Sequence, residues 1–116
     1  MTTIAENSGL VTAINVFTVD PSNQQRLLDL LEGMTETSVR GLPGFVSAAL
    51  HRSVDGCRVT MYSQWASAQH YQDYQAMRPQ SGASPEVSEI LAIASFDPAT
   101  YEVVRVFTGP SRPDAG

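Results

Sequence analysis

The feature that most constrains this chain is an abrupt change of hydrophobic period at Trp65. Before it, residues 58–65 alternate as a β-strand does, and one face of that strand carries Val59, Met61, Ser63 and Trp65. After it, Ser67 is a typical helix N-cap, and Tyr71 and Tyr74 recur at helical spacing. A strand that leads directly into a helix at a tryptophan gathers large aromatic side chains in one corner. We therefore expect a pocket for a flat organic ligand there.

Composition limits the classes of protein to which the chain can belong. Its 116 residues suffice for one domain with a single modest core. A hydrophobic fraction of 42% with a charged fraction of 16% is typical of a folded domain rather than a disordered chain. The formal net charge of -5, without any cluster of Lys and Arg, argues against binding to nucleic acid or to an acidic membrane surface.

The few cysteines and histidines limit the cellular compartment and the cofactors. The single cysteine, Cys57, cannot form an internal disulfide, which indicates a reducing compartment, and we expect the cytoplasm. No apolar run approaches the roughly 18 residues of a membrane span, and the first residues lack the pattern of a signal peptide. The two histidines have no partners at metal-ligand spacing, and Gly-rich phosphate loops are absent from the sequence. We therefore expect neither a metal nor a nucleotide cofactor.

Turn and capping residues divide the chain into helices and strands. We predict strands over residues 10–19, 45–53, 58–65 and 101–108, and helices over residues 21–40, 67–77 and 85–94. The pair Asp55 and Gly56 predicts a hairpin between the second and third strands, since glycine accepts the positive φ of such turns. Residues 1–8 and 109–116 are predicted to be flexible ends of one domain over residues 9–108.

This order of elements predicts an α+β fold of the ferredoxin-like, split β-α-β kind, in which helices cover one face of an antiparallel sheet. The other face is then predicted to carry a set of apolar side chains: Leu10, Ile14, Val16, Val46, Ala48, Leu50, Tyr62, Val104 and Val106. So large an apolar face is costly to leave in water. We therefore expect a homodimer in which two copies bury it sheet to sheet.

Five segments in this layout carry a family resemblance: INVF at 14–17, LPGF at 42–45, LHRS at 50–53, YSQW at 62–65 and FDPATYEVV at 96–104. Together, over residues 10–108, they resemble the antibiotic biosynthesis monooxygenase family, whose members are small dimeric α+β barrels. The resemblance implies a pocket between the sheet and the helices. In the best-studied branch, such a pocket oxidises polycyclic, polyketide-like phenols or anthrones to quinones with dioxygen as co-substrate and without metal, flavin or haem.

The resemblance implies three catalytic residues. Asn15 would hold a substrate oxygen or dioxygen, since a buried amide needs a hydrogen-bonding partner. Trp65 would donate its indole N–H to a carbonyl while its ring stacks on an aromatic substrate. His51, or a water, would take a phenolic or ring proton as a general base. Their structural alternatives are an amide satisfied by backbone, a core tryptophan and a surface histidine.

Other side chains are expected to contact the substrate. Tyr71 would orient it, and Ser63 and Phe17 would line the pocket. Met61 stands where the anthrone-oxidising branch commonly has an asparagine, so a hydrogen bond to a developing oxyanion is lost there and the pocket becomes more apolar. The arginine that this branch supplies from its later helix is also absent, and Arg78 would replace it from the preceding loop.

Two functions fit this set of residues. The first is a cofactor-independent monooxygenase, in which a deprotonated, electron-rich substrate reacts with dioxygen directly in a dry pocket. The alternative is a non-catalytic binding or accessory protein for an aromatic metabolite, which Met61 and the missing arginine favour. Haem degradation occurs on the same fold, but it requires a ligating histidine about one helical stretch after the tryptophan, where this chain has residues 74–76, Tyr-Gln-Ala.

Overall fold

The computed structural model describes residues 3–6, 8–77 and 85–110. Its elements are β1 Val11–Val19, α1 Gln24–Met34, β2 Phe45–Arg52, β3 Arg58–Trp65, α2 Ala68–Met77, α3 Pro85–Ile93 and β4 Ala94–Tyr101. The four strands form one antiparallel sheet in the order β2-β3-β1-β4. This confirms the predicted α+β, ferredoxin-like fold. None of the helices in these ranges is long and apolar enough to cross a membrane.

Local sequence explains how the first helix begins and ends. Asp20 accepts a hydrogen bond from the backbone N–H of Ser22 (3.0 Å) and caps a short 3-10 turn that leads into α1. At its other end, α1 continues as a π-helical turn over Thr35–Val39, where the N–H of Arg40 donates to the carbonyl of Thr35 (2.9 Å). Such turns occur frequently at functional sites. Here it widens the helix beside the interior of the protein.

Two clusters of buried side chains hold the helices against one face of the sheet. The larger cluster packs α1 and α3 onto the sheet through Phe17, Val19, Leu27, Leu31, Val59 and Ile90. The smaller cluster surrounds Trp65, which is only 1% exposed, with Ala13, Val39 and Tyr71. Burial of apolar area, worth roughly 25 cal/mol per Å², is what stabilises this arrangement. The aromatic side chains predicted to gather at Trp65 are therefore part of the hydrophobic core, in addition to any role in a ligand site.

The β2–β3 connection confirms the predicted hairpin. Gly56 has a φ of +85°, a conformation that other residues rarely adopt. The carboxylate of Asp55 accepts hydrogen bonds from the hydroxyl of Ser53 (2.6 Å) and from the backbone N–H of Cys57 (3.0 Å). These two bonds, the first above all, hold the pKa of Asp55 below its ordinary value. The turn is thus fixed by its own side chains.

A β-bulge in β2 changes which side chains face the helices. Phe45 pairs with Trp65, but the register then shifts, so that Ala48 pairs with Ser63. Residues that pair across antiparallel strands share a face of the sheet. Ala48 and Leu50 therefore lie on the helix-covered face, and their predicted place on the open face was wrong. A regular period of two, which the prediction assumed, does not hold across the bulge.

The last strand lies earlier in the chain than predicted. It spans Ala94–Tyr101 directly after α3, whereas residues 101–108 were expected to form it. Asp97 and Pro98 indicate a break, but β4 is an edge strand, where a proline is tolerated because one side of the strand has no neighbour to bond. Residues 102–110 lie outside any strand, and Val104 and Phe107 are 79% and 87% exposed.

The open face of the sheet is more polar than predicted. Ile14 and Val16 lie on it, opposite the helices, but Gln64 does too. Gln64 is buried, donates to the carbonyl of Thr3 (2.7 Å) and accepts from the hydroxyl of Ser47 (2.9 Å). The N-terminal segment therefore crosses part of this face.

Candidate active site

A cavity of about 320 Å³ lies between the sheet and the helices. Its floor is the helix-covered face of the sheet, with Asn15, Phe17, Ala48, Met61, Ser63 and Trp65. Its walls come from α1, the π-helical turn, α2 and α3, with Met34, Thr35, Tyr71, Tyr74, Val87 and Ile90. This volume falls within the range of pockets that bind small organic molecules.

Most of the side chains predicted for the site meet in this cavity. Those that line it are Asn15, Phe17, Met61, Ser63, Trp65 and Tyr71. They come from β1, β3 and α2, and the cross-strand pairs between β1 and β3 place them side by side. Arg78 lies outside the described residues. The roles assigned to these residues stay predictions, but their proximity is a property of the fold.

His51 does not reach the cavity. It pairs with Thr60 and is exposed on the open face of the sheet, which it shares with Tyr62. The prediction that it takes a proton from a substrate in the pocket was wrong, because a regular strand would place His51 on the same face as Phe45. The bulge between them puts the two side chains on opposite faces.

His70 is the other histidine, and it supports the local structure. Its backbone N–H donates to the hydroxyl of Ser67 (3.2 Å), which confirms Ser67 as the cap of α2, and its ring Nδ1 lies 2.8 Å from the same oxygen. The side chain is half-buried and lies against Gly44. In the part of the chain that the structure describes, neither histidine lines the cavity.

The ring of Trp65 is held on three sides by other aromatic rings. Tyr74 stacks on it with centroids 5.1 Å apart and an interplanar angle of 18°. Phe45 meets it edge-on at 5.5 Å and 84°, and Tyr71 lies at 5.5 Å and 60°. Such pairs add to the energy of burial and fix the plane of the indole. The corner therefore presents a rigid aromatic wall to the cavity.

The indole N–H of Trp65 already has a partner within the protein. It donates to the hydroxyl oxygen of Ser63 (3.1 Å), and that hydroxyl in turn points to the carbonyl of Ala13 (3.5 Å). The sequence predicted that this N–H would bind a substrate carbonyl. In the structure, this donor is taken up by Ser63.

Two buried polar atoms at the cavity have no hydrogen-bonding partner among the described residues, namely Oδ1 of Asn15 and the hydroxyl of Tyr71. Buried polar atoms are normally satisfied, and leaving one unpaired costs about 1–3 kcal/mol. The hydroxyl of Thr35, also at the cavity, instead donates to the carbonyl of Leu31 (2.8 Å). Asn15 and Tyr71 therefore carry the buried polar atoms of this lining that a ligand could satisfy.

Residues that line the cavity are spread along β1 and its neighbours. Trp65 is paired with Val11 near the start of β1, and Phe17 stacks on Phe96 near its end, with centroids 5.3 Å apart and an angle of 21°. Asn15 lies between Trp65 and Phe17 on this face of the sheet. Aromatic side chains are thus found on both sides of its amide.

The lining of the cavity carries no formal charge in the described ranges: none of its side chains is Asp, Glu, Lys, Arg or His. Nor do residues 3–6, 8–77 and 85–110 contain a cluster of His, Cys, Asp or Glu that could hold a metal ion. An uncharged and largely aromatic interior favours apolar ligands, and it strengthens the few hydrogen bonds that form inside it.

Sequence reasoning missed the contribution of α3 and the π-helical turn. Val87, Ile90 and Leu91 of α3 and Val39 of the turn line the cavity. The spacing i, i+3, i+4 of the three α3 residues is a signal for an apolar helix face. That pattern would have placed α3 against the sheet, although it does not reveal the cavity between them.

Comparison with known proteins identifies the family. The sequence model for antibiotic biosynthesis monooxygenases matches residues 10–92. The tetracenomycin-F1 monooxygenase of Streptomyces glaucescens is 37% identical over 111 residues, which cover 96% of this chain and 96% of that protein. The chain belongs to the antibiotic biosynthesis monooxygenase family. It is an enzyme, a monooxygenase of that family, and the resemblance predicted from its segments is confirmed.

Solved structures agree with this family assignment. The monooxygenase from the gene ActVA-Orf6 of Streptomyces coelicolor, determined in complex with nanaomycin D, superposes with a TM-score of 0.66 at 30% identity and covers 87% of this monooxygenase and 92% of that chain. SnoaB of Streptomyces nogalater, a cofactor-independent oxygenase, superposes with a TM-score of 0.64 at 20% identity and covers 88% and 100% of the two chains. The likeness to SnoaB therefore shows the fold alone.

Proposed function

We propose that this monooxygenase oxidises a polycyclic, polyketide-like phenol or anthrone to a quinone with dioxygen, and that it uses no metal, flavin or haem. The observation that supports this proposal most strongly is a pair of buried polar atoms without partners, Asn15 Oδ1 and the Tyr71 hydroxyl, inside an uncharged aromatic cavity. A phenolic O–H and a keto oxygen are the groups that these two atoms would bind. The family membership and the relatives named above support the same chemistry.

The mechanism follows from what each group can do. Tyr71 donates its O–H to the keto oxygen, Asn15 accepts the phenolic proton in a hydrogen bond, and the aromatic wall at Trp65 holds the rings. Loss of a ring-carbon proton to water leaves an electron-rich anion, which gives one electron to triplet dioxygen. The two radicals combine to a peroxide on the substrate, and loss of water leaves a carbonyl. The sum is CH₂ + O₂ → C=O + H₂O, so one oxygen atom enters the product.

Oxygen consumption tests this proposal. Purified, metal-stripped protein is assayed with a panel of anthrones and naphthols, beside a Trp65→Phe variant that keeps an aromatic ring but loses the shape of the indole. We expect uptake in proportion to protein concentration and a loss of about tenfold in the variant, since misplacing a substrate slows its reaction. Uptake no faster than the spontaneous rate, with ligand binding still visible as quenching of the single tryptophan, would instead support a binding protein.

The alternative is a binding protein for an aromatic metabolite, and Met61 is the observation that favours it. Met61 lies directly across from Asn15 on β3 and lines the cavity, where its thioether cannot donate a hydrogen bond. Cross-strand neighbours have Cβ atoms about 5 Å apart, so an amide at position 61 would act beside Asn15 on the same ligand oxygen.

Met61→Asn separates the two functions. In an oxygenase, the added donor is expected to raise turnover of an anthrone by about tenfold through stabilisation of the developing oxyanion. In a binding protein, the variant changes affinity but creates no oxygen uptake. Met34→Asn, which places the same amide on the α1 wall of the cavity, is the matched control and is not expected to raise turnover.

We also propose that the enzyme works as a homodimer joined through the open face of the sheet. Ile14 and Val16 lie on that face, and the exposed Tyr101, Val104 and Phe107 follow along its edge strand and the segment after it. Apolar side chains of this size in one region are costly to leave in water. A second copy related by two-fold symmetry would cover the open face of the sheet and these exposed side chains at once.

Light scattering after size-exclusion chromatography tests the dimer. Wild-type protein is expected at twice the monomer mass, and Val104→Glu is expected to elute as a monomer because it places a charge in the interface. Val54→Glu is the matched control, since Val54 is fully exposed in the β2–β3 turn, and it should remain dimeric. A wild-type protein that is monomeric at micromolar concentration contradicts the proposal.

A further inference from the structure

We infer that Ser63 is a positioning residue that binds the indole N–H of Trp65 and so keeps this donor from the substrate. The inference deepens the proposed function, on which its kinetic test rests. Ser63 and Trp65 are both buried, line the cavity and lie two residues apart on the same face of β3.

The hydroxyl of Ser63 is held on its acceptor side by the indole. A serine hydroxyl has one proton to donate and two lone pairs that accept. Here it accepts from the indole N–H (3.1 Å), and the nearest acceptor for its own proton is the carbonyl of Ala13, 3.5 Å away. The bond from Trp65 is therefore the stronger of the two contacts.

The aromatic neighbours hold the ring of Trp65 but do not bond its N–H. Tyr74, Phe45 and Tyr71 fix the plane and the position of the buried indole. Its N–H donates to Ser63 instead. The bond to Ser63 therefore decides whether this donor is available to a ligand.

This choice affects how a substrate binds. With the N–H held by Ser63, a substrate carbonyl accepts from the hydroxyl of Tyr71, and a phenolic O–H donates to Oδ1 of Asn15. Without the hydroxyl, the freed N–H becomes a second donor in the cavity and competes for the same carbonyl. The substrate then binds about as well but in a shifted position, which lowers turnover more than affinity.

Three variants test the inference. Ser63→Ala removes the hydroxyl, Ser63→Thr keeps it, and Ser47→Ala removes a hydroxyl from the open face as the matched control. The measurements are kcat and KM with the best anthrone of the panel, together with the emission and near-ultraviolet circular dichroism of the single tryptophan in the ligand-free protein. For Ser63→Ala we expect kcat to fall about tenfold with KM within about twofold, and both tryptophan spectra to change.

Ser63→Thr should recover kcat to within about twofold and restore the spectra, and Ser47→Ala should match the wild type. Unchanged spectra in Ser63→Ala, or equal losses in the alanine and threonine variants, would overturn the inference. If no substrate of the panel gives oxygen uptake even with wild-type protein, the proposed function fails, and the tryptophan spectra alone still decide the role of Ser63.

Discussion

Asn15→Leu is expected to lower turnover by about 100-fold and to leave the protein as stable as the wild type or more so. Leucine has a similar size and shape but cannot accept the phenolic proton, and misplacing a substrate by about 1 Å can cost about 100-fold in rate. The buried Oδ1 has no partner among the described residues, so its removal ends a desolvation cost of about 1–3 kcal/mol. Opposite signs for activity and stability are typical of a residue kept for function.

The measurement combines steady-state oxygen uptake with thermal unfolding of the same preparations. Tyr71→Phe, which removes the other unpartnered atom, should show the same pattern with a loss of about tenfold. A structural role for Asn15 would instead appear as parallel losses of stability and turnover in Asn15→Leu. Wild-type turnover in that variant would exclude Asn15 from the chemistry.

Gly44→Ala is expected to destabilise the fold by about 3 kcal/mol, which corresponds to a fall in Tm of roughly 10–20 °C for a domain of this size. Gly44 has a φ of +82°, and an added Cβ would lie 2.3 Å from Cγ and 2.4 Å from Cβ of His70. The Cβ of His70 belongs to α2 and cannot move without the helix. The carbonyl of Gly44 also accepts from the N–H of Ala66 (2.7 Å), so the strain falls next to Trp65.

Gly41→Ala is the control for this prediction. Gly41 lies in the same loop, and a Cβ added there would meet no atom within 4 Å beyond its chain neighbours, so its substitution should change stability by less than about 0.5 kcal/mol. Gly44→Ala combined with His70→Ala should recover only part of the loss, since the contact with the Cβ of residue 70 (2.4 Å) and the positive φ both remain. A Gly44→Ala protein with the wild-type Tm would show that the fold does not depend on the close approach of Gly44 to His70.

The fold could be predicted largely because its signals are local. The change of period at Trp65, the cap at Ser67 and the turn at Asp55 and Gly56 each act within a few residues, and all three have the predicted structure. The position of the last strand was not predictable in the same way, since Pro98 is compatible with a strand only at the edge of a sheet. Edge position depends on the tertiary arrangement.

The candidate site was predicted in part, and its two errors have different causes. Asn15, Met61 and Trp65 lie on regular strands, so their common face followed from alternation. His51 lies beyond a bulge that no local pattern in β2 reveals, and the side chain faces the other way. The partner of the Trp65 N–H was also unpredictable, because a donor two residues from a hydroxyl on one strand face can equally bond a ligand.

The origin of the oxygen atom in the product decides whether the bound substrate reacts with dioxygen itself. Metal-stripped protein is given an anthrone under ¹⁸O₂ in ordinary water, and the quinone is extracted promptly and analysed by mass spectrometry. A direct reaction of the bound substrate with dioxygen predicts one ¹⁸O atom per quinone formed, at a rate proportional to protein concentration. A quinone without ¹⁸O, or labelled formation that the protein does not accelerate, would contradict the claim that this cavity is a cofactor-independent oxygenase site.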